Sequence, residues 1–312
     1  MDIEDRLLQG AIDIHVHGYP EYSLRVRGRL NVIEWAELAR TAQMRAIVIK
    51  SQMFPTVERA HILRSIVSDI EIYGSITLNY SIGGLNPLAV ELSGELGGKI
   101  VWMPTWAAKN DLLKGAAYFK RVKQYLPVLN RVIPGPEEGI EIIENGKLKS
   151  VVKEIVQIAR IHKMAIGSGH LSIAESLALA EECQRQAVPF FLTHPFLHCV
   201  GASIADLKEI VNRGGYIEHC FITVMPLQER LELSRIVEAI QEVGPSRTIM
   251  STDAVHTYHP PPPEILRMYI ASLLHLKVDE TSIRKMLHEN PAKILGLEEK
   301  FAKEKDIVKR LE

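Results

Sequence analysis

Two histidines in the stretch AIDIHVHG, at residues 11–18, are separated by a single residue. Residues two apart in a β-strand point to the same face, so His15 and His17 are expected to share a face with Asp13, opposite Ile14 and the other apolar residues of the run. Two imidazoles about one strand repeat apart are able to bind one metal ion. The spacing therefore predicts part of a metal site, which other segments of the chain must complete.

Other polar residues lie where short apolar runs end along the chain. The second run ends in Lys50, the fifth in His170, the sixth in His194 and the seventh in His219, while Asp253 follows the eighth. Barrel enzymes carry their chemistry at the C-terminal ends of the strands, where the loops meet around one concave face. We therefore predict that these side chains converge with the first pair. The predicted metal ligands are His15, His17, His170, His194 and Asp253, and the predicted catalytic residues are Asp253, Lys50 and His219.

The elements that must position these residues follow a regular alternation. Apolar runs rich in Ile and Val are short enough to be buried strands, and helix-like stretches lie between them. The runs lie at 11–17, 46–50, 75–80, 99–104, 164–170, 189–194, 215–220 and 248–252. Helices are predicted over 31–44, 150–162 and 172–187, and Asn31 and Glu34 have the spacing of a capping box. Eight such units predict an α/β fold of the (β/α)8 TIM-barrel class.

One segment breaks the alternation between the fourth and fifth runs. The stretch GIEIIENGKLKS at 139–150 predicts a hairpin, because Asn145 and Gly146 supply the positive φ angles of a type I′ turn. We interpret it as an insertion within a single barrel domain that spans 1–312. A (β/α)8 barrel typically takes about 250 residues and tolerates insertions, so 312 residues suit one such domain.

The composition limits the classes of partner. Hydrophobic residues make up 46% of the chain, charged residues 24%, and the formal net charge is −1. Nucleic-acid-binding domains usually carry a clear basic excess, so no nucleic-acid partner is predicted. No secretory signal and no apolar stretch of about 18 residues is visible, so no membrane partner is predicted either. Three widely spaced cysteines without a CxxC pair favour a cytoplasmic protein; its oligomeric state, a homo-oligomer included, stays open.

Five motifs resemble the metal-dependent amidohydrolase superfamily, in a poorly characterised branch of it. They are DIHVHG at the first strand, GSGHLS at the fifth, LTHP at the sixth, STDA at the eighth and HENPAKILGL at 288–297. The resemblance implies that His15 and His17 bind one metal ion and that His170 and His194 complete a site of one or two ions. It also implies that Asp253 is both a ligand and a proton acceptor. Zinc suits such nitrogen and oxygen ligands, though other first-row metals fit too.

The chain departs from the superfamily's pattern at the fourth strand. Binuclear members often carry a bridging carboxylated lysine or a glutamate there, and this chain has Thr105 in the stretch WMPTW. Lys50 is the lysine at a predicted strand end. A dry environment lowers the pKa of a lysine, and the neutral amine is able to take up carbon dioxide as a carbamate. Alternatively, a protonated Lys50 binds a substrate carboxylate or offsets the charge of Asp253.

The predicted function is metal-dependent hydrolysis of an amide, lactone, ester or related bond in a small molecule. In this mechanism Asp253 accepts a proton from a metal-activated water, and His194 or His219 stabilises the developing oxyanion. The alternatives are deamination or decarboxylation at the same site, or a barrel that binds a ligand without catalysis. Candidates for substrate contacts in the loops are Tyr19, Tyr22, Arg25, Arg27, His198 and His256.

Overall fold

Ten strands are present in the computed structural model, which describes residues 2–298 except 25–26, 116–118, 121–122, 125–126, 128 and 134. Eight of them form one parallel sheet in the order β1-β2-β3-β4-β7-β8-β9-β10, and β5 and β6 form a separate hairpin. The strands are β1 (Ile12–His17), β2 (Ala46–Lys50), β3 (Glu71–Thr77), β4 (Ile100–Trp102), β5 (Ile143–Glu144), β6 (Lys147–Leu148), β7 (Ala165–Gly167), β8 (Phe190–Thr193), β9 (Tyr216–Cys220) and β10 (Thr248–Ser251).

The sheet curls until its last strand meets its first. Beyond the end of β10, Asp253 donates its backbone N–H to the carbonyl of His15 at 3.0 Å. Val16 and Ala254 form a parallel bridge beside this bond. The predicted (β/α)8 TIM-barrel fold is therefore confirmed, and its closure brings Asp253 next to the two histidines of β1.

Helices follow the strands and cover the outside of the barrel. Those of eight or more residues are Val32–Thr41, Val57–Ile66, Pro87–Glu95, Ser150–Ile161, Ile173–Arg185, Ile204–Asn212, Leu233–Val243 and Pro262–His275. Shorter ones are Ile3–Leu8, Lys109–Lys114, Leu129–Val132, Glu280–Arg284 and Asn290–Ile294, with a π-helical turn at Lys285–Glu289. The capping box predicted at Asn31 is present, because its side chain accepts from the N–H of Glu34, whose carboxylate accepts from the N–H of Asn31.

The third strand begins four residues earlier than predicted. The predicted run at 75–80 follows Gly74, a residue that usually weakens a strand, whereas the strand itself spans Glu71–Thr77. In the structure Gly74 lies inside β3, where the start of the helix Val57–Ile66 packs directly against it. A Cβ atom at this position would lie 2.5 Å from the Cα atom of Val57. The glycine therefore permits a close approach of helix to strand and does not end the strand.

Alternate residues of the strands pack on two sides of the sheet. Inside the barrel lies an apolar cluster that includes Ile12, Val48 and Trp102. Outside it, strand residues such as Ile47 pack with residues of the helices. The C-terminal segment that contains Asn290–Ile294 contributes to the interior cluster and covers the barrel end at which the strands begin. The opposite end is left to polar side chains.

A β-bulge in β1 turns its two histidines into the barrel. Asp13 pairs with Ile47, but Val16 pairs with Ile49, so β1 carries one extra residue between these pairs. Ile14 and His15, which are consecutive, therefore both face the interior. The predicted common face of Asp13 and the histidines is wrong for this reason. The carboxylate of Asp13 instead accepts a hydrogen bond from the Thr252 hydroxyl at 2.6 Å.

The hairpin β5–β6 lies within the predicted stretch 139–150. Asn145 and Gly146 connect its strands with φ angles of 51° and 73°, as a type I′ turn requires. Among the described residues, no helix combines the length and apolar character needed to cross a membrane.

Candidate metal centre

A cavity of about 380 Å³ opens at the end of the barrel where the strands finish. Its floor is polar, and five of the seven residues predicted to carry the chemistry line it. They are His17, Lys50, His170, His194 and Asp253. His15 lies directly beneath this floor and is fully buried. The convergence that the strand-end pattern predicted is therefore present for six residues of the described chain.

Two imidazole nitrogens lie close to one carboxylate oxygen at the cavity floor. The Nε2 atom of His15 lies 3.1 Å from Oδ1 of Asp253, and the Nε2 atom of His17 lies 3.2 Å from the same oxygen. Two ligands that share one zinc ion at about 2.0–2.2 Å are separated by roughly 3–3.5 Å. Each nitrogen–oxygen distance thus matches that of two ligands on one divalent cation, and two imidazoles with a carboxylate are a donor set that suits such an ion.

Glutamates lie behind both of these imidazoles. The Nδ1 atom of His15 lies 3.1 Å from the Glu218 carboxylate, and Nδ1 of His17 lies 3.6 Å from the Glu21 carboxylate. A carboxylate only accepts hydrogen bonds, so the proton of His15 belongs on Nδ1 and the lone pair of Nε2 faces the cavity floor. Metal-binding histidines are commonly held by a carboxylate in this way.

Lys50 is the cation nearest to these ligand atoms among the described residues. Its Nζ atom lies 2.9 Å from Nε2 of His15 and 4.4 Å from the centre of the Trp102 ring. Burial lowers the pKa of Lys50, while the charges of Asp253 and Glu218 act in the opposite direction. Lys50 is therefore placed either to donate a hydrogen bond to Nε2 of His15 or to be displaced by a metal ion that binds this nitrogen.

His170 and His194 form a second group beside the first. Their rings are 4.9 Å apart, and the ring of His194 is 6.1 Å from that of His15. The Nδ1 atom of His170 is hydrogen-bonded to the carboxylate of Asp111. By contrast, the buried Nδ1 atom of His194 has no hydrogen-bond partner among the described residues. Burial and the neighbouring His170 lower the pKa of His194 well below its ordinary range, so this imidazole is neutral.

The backbone is strained where two of these side chains enter the cavity. His194 has a φ angle of 31° and Asp253 one of 51°, both in the left-handed region that non-glycine residues rarely adopt. Such conformations cost of order 1–3 kcal/mol and concentrate at functional sites.

Burial alone would raise the pKa of Asp253, but His15 and His17 hold it well below its usual value. Asp253 is therefore an ionised carboxylate at the cavity floor.

The structure does not bring His219 to the cavity. Residues alternate along β9, so Glu218 and Cys220 point into the barrel while His219 points out toward the helices. Its ring stacks on Phe196 at 5.5 Å, and burial lowers its pKa to about 3. The prediction placed His219 at the site because it lies near a strand end, but its parity was the opposite of that required.

Sequence reasoning missed the carboxylates that hold the imidazoles. Glu218 has the interior parity on β9 that His219 lacks, and this signal was available in the sequence. Asp111 and Glu21 lie in segments without a strand pattern, and their approach to the site depends on how those loops fold. Thr105, at the position where a bridging lysine was sought, is buried and accepts a hydrogen bond from Asn79 at 2.7 Å. It therefore belongs to a polar network rather than to the ligand set.

The upper wall of the cavity combines aromatic and charged groups. Tyr22 and Trp106 both line it and stack at 4.9 Å. His198, which also lines it, pairs with Glu229 at 2.6 Å, and this interaction raises the pKa of His198. Of the other loop candidates, His256 lines the cavity, Tyr19 and Arg27 are not among its lining residues, and Arg25 lies outside the described residues.

Comparisons with known proteins give one family and a set of similar structures. Residues 10–218, more than half of the chain, match the family described as "Family of unknown function (DUF6282)". This stretch contains His15, His17, Lys50, His170 and His194, whereas His219 and Asp253 lie beyond it. No curated protein matches the chain in sequence.

Solved structures share the fold at low sequence identity. An amidohydrolase from Pseudomonas aeruginosa superposes with a TM-score of 0.60 at 14% identity, over 94% of this chain and 98% of that one. The probable dipeptidase PvdM from the same organism gives 0.60 at 11% identity, over 94% and 96%. An organophosphorus hydrolase from Deinococcus radiodurans gives 0.56 at 14% identity, over 94% and 93%. The resemblance to amidohydrolases is thereby confirmed at the level of fold.

Proposed function

The chain belongs to the DUF6282 family of unknown function, and we propose that it is a metal-dependent hydrolase of small molecules. The observation that carries this proposal is the meeting of His15 Nε2, His17 Nε2 and Asp253 Oδ1, at 3.1 and 3.2 Å, on the floor of a cavity. With its proton on Nδ1 toward Glu218, His15 presents a lone pair at Nε2, and this lone pair and the Asp253 oxygen repel each other at 3.1 Å unless a proton or another cation lies between them. A divalent cation is the occupant that this donor set suits, and zinc has the matching ligand preferences.

A cation held by His15, His17 and Asp253 supplies a water nucleophile at neutral pH and Lewis acidity toward the oxygen of the scissile bond. The residues around it supply the rest. The ionised Asp253 lines the cavity, so it accepts the proton of the attacking water and returns it to the leaving group. The neutral imidazole of His194 faces the same cavity and donates a hydrogen bond to the developing oxyanion.

Lys50 has two proposed roles, which differ in its charge. Its buried amine, with a lowered pKa, is suited to form a carbamate with carbon dioxide and so add a carboxylate ligand. As a protonated group it would instead donate to His15 Nε2, 2.9 Å away, and compete with the cation. A mass increase of one carbon dioxide on intact native protein supports the carbamate; full activity of Lys50→Arg argues against it.

The cavity supports a small substrate with an apolar portion. Its volume of about 380 Å³ lies within the range of small-molecule sites. The stacked Tyr22 and Trp106 provide a flat apolar wall above the polar floor. The structural neighbours include a probable dipeptidase, an organophosphorus hydrolase and a promiscuous lactonase, so amides, esters, lactones and phosphotriesters are the bonds to test first. The buried, unpaired cysteines support action in a reducing compartment such as the cytoplasm.

The direct test is a hydrolase screen on protein stripped of metal and reloaded with zinc. We expect turnover of at least one ester, lactone, amide or phosphotriester that requires zinc. We also expect Asp253→Asn to lower kcat by about 10²–10⁴-fold, as loss of a general base does. Asp69→Asn, which changes an exposed carboxylate far from the cavity, serves as the matched control and should keep wild-type rates.

Two outcomes would contradict the proposal. The first is that protein treated with zinc retains less than about a tenth of an equivalent of metal. Lys50 would then pair with His15 and Asp253 in place of a metal ion, and the barrel would be a ligand-binding protein. If metal binds but Asp253→Asn turns over substrate at the wild-type rate, the assigned proton transfer is wrong.

A further inference from the structure

We propose that the cavity wall contains a second cation position, formed by Asp111, His170 and Cys199, in which a thiolate is one of the ligands. Each of these residues offers one ligand atom, and the three atoms all lie within 4.8 Å of one another. His170 Nδ1 and the Asp111 carboxylate are hydrogen-bonded to each other, and an ion bound by both groups would replace the proton that they share. All three side chains are buried and line the cavity, so an ion has access to them from the solvent side. This position requires neither a carboxylated lysine nor a ligand from the fourth barrel strand.

The three ligands come from separate segments that one asparagine ties together. Asp111 lies in the short helix Lys109–Lys114, His170 follows β7, and Cys199 lies in the loop after β8. The Asn110 side-chain amide donates to the backbone carbonyl of His170 at 3.0 Å and to that of Cys199 at 2.6 Å. Since Asn110 immediately precedes Asp111, this double hydrogen bond holds together the three backbone segments that carry the ligands.

A second contact holds the same helix against the same loop. One turn beyond Asn110, the Lys114 ammonium donates to the carbonyl of Val200 at 3.1 Å. The position of the carboxylate relative to the thiol is therefore set by two hydrogen bonds to the loop that carries Cys199. Ligands held in advance by the fold lose little freedom when an ion binds.

A buried imidazole nitrogen without a partner lies beside this group. The ring of His194 meets that of His170 edge to face at 4.9 Å, and its Nδ1 atom makes no hydrogen bond within the described part of the chain. Burying a polar nitrogen without a partner is costly. His194 thus stands between the first position, at His15 and His17, and the second, and is available to an ion at either.

The donor sets make the two positions chemically different. The first is proposed with imidazole and carboxylate ligands, with the Cys220 sulfur within 4.8 Å of ligand atoms of His15 and Asp253, whereas the second includes the sulfur of Cys199 among its ligands. A thiolate favours zinc or cobalt over magnesium or manganese, and a thiol that coordinates such an ion loses its proton. The second position is thus expected to take a softer ion, and its existence does not depend on which reaction the first supports.

Cobalt(II) distinguishes the positions because thiolate ligation gives a charge-transfer absorption in the near ultraviolet that nitrogen and oxygen ligands do not. We expect wild-type protein saturated with cobalt(II) chloride to show this band, and Cys199→Ser to lose it. The chain offers two matched controls, since Cys183 and Cys220 are equally buried. Cys183 lies in the helix Ile173–Arg185, and Cys220 lies 3.6 Å from His15 Nδ1.

The band should persist in Cys183→Ser and in Cys220→Ser. A band that persists in Cys199→Ser, or that disappears only in Cys220→Ser, would overturn the proposal, as would its absence from the saturated wild-type protein. Alkylation of the wild-type chain gives a second readout that needs no variant. Cobalt should slow the labelling of Cys199 at least about tenfold and leave the labelling of Cys183 unchanged; equal slowing of both would count against the site. Both readouts are independent of turnover, so this proposal and the proposed hydrolase activity fail separately.

Discussion

At the scale of single residues, type and strand position were enough to find most of the polar floor. His15, His17 and Asp253 were predicted from spacing, and they meet at 3.1–3.2 Å. Glu218 was missed although its interior parity on β9 was readable. The reason is that a histidine near a strand end is a recognisable metal ligand, while the neighbouring glutamate has no distinctive sequence signal apart from its position on the strand. Glu218 decides which nitrogen of His15 is free, and Asp111 does the same for His170.

The opposite orientations of His194 and His219 lead to opposite predictions. His194→Leu removes the unpartnered Nδ1 that is available to an ion at either proposed position, so we expect at least about a tenfold loss of zinc affinity. His219→Leu replaces a ring that stacks on Phe196 outside the barrel, so zinc affinity should stay within about twofold of wild type. Competition with a chelator measures both. A loss in His219→Leu as large as that in His194→Leu would return His219 to the site.

At the scale of elements, periodicity predicted the strands but did not predict the bulge in β1 or the start of β3. The bulge in β1 adds a residue between the pairs Asp13–Ile47 and Val16–Ile49, and it turns His15 inward directly after Ile14. A strict alternation of faces has no place for that extra residue, because the bulge depends on pairing with β2 and not on the local sequence. The late start predicted for β3 has a similar cause, since Gly74 is explained only by the helix that packs on it.

Substitution of Gly74 tests that packing. A Cβ atom there would meet the backbone of Val57 at 2.5 Å, and backbone cannot move aside as a flexible side chain does. We expect Gly74→Ala to lower the free energy of unfolding by about 1–3 kcal/mol, measured by urea denaturation. Gly135→Ala is the control, because Gly135 has a φ of −72° and no atom within 4 Å of an added Cβ. If the two variants are equally stable, the backbone at Val57 moves aside without cost, and the close packing of this helix on β3 does not require a glycine.

At the scale of the whole molecule, the number of alternating units predicted the barrel, and closure explains how distant residues meet. The hydrogen bond from Asp253 to His15 joins the first strand of the barrel to the segment that follows the last strand. The motif NPAKILGL near the C-terminus covers the other end of the closed barrel. Its helix fills the barrel end opposite the cavity, and His288 just before it donates from Nε2 to the carbonyl of Leu7 at 2.7 Å.

His288 gives the whole fold a predictable dependence on pH. Burial lowers its pKa to about 4, below the ordinary value of 6.5 that applies when the chain is unfolded. Between those values the unfolded state binds more protons, so stability falls as the pH falls. From about pH 7 to about pH 5 this group should remove about 2 kcal/mol from the free energy of unfolding.

His288→Gln keeps a side-chain donor for Leu7 and removes the titration. Urea denaturation at the two pH values should therefore show a smaller loss of stability in the variant than in the wild-type protein, by about the same 2 kcal/mol. Parallel losses in the two proteins would mean that His288 is not the group responsible.

The central claim is that His15, His17 and Asp253 hold one cation at the barrel mouth. A crystal grown with zinc, with data collected at the zinc absorption edge, tests it most directly. We predict an anomalous peak about 2.0–2.2 Å from His15 Nε2, His17 Nε2 and Asp253 Oδ1, with Lys50 Nζ displaced from His15. No peak there, with Lys50 still hydrogen-bonded to His15 Nε2 at 2.9 Å, would contradict the account.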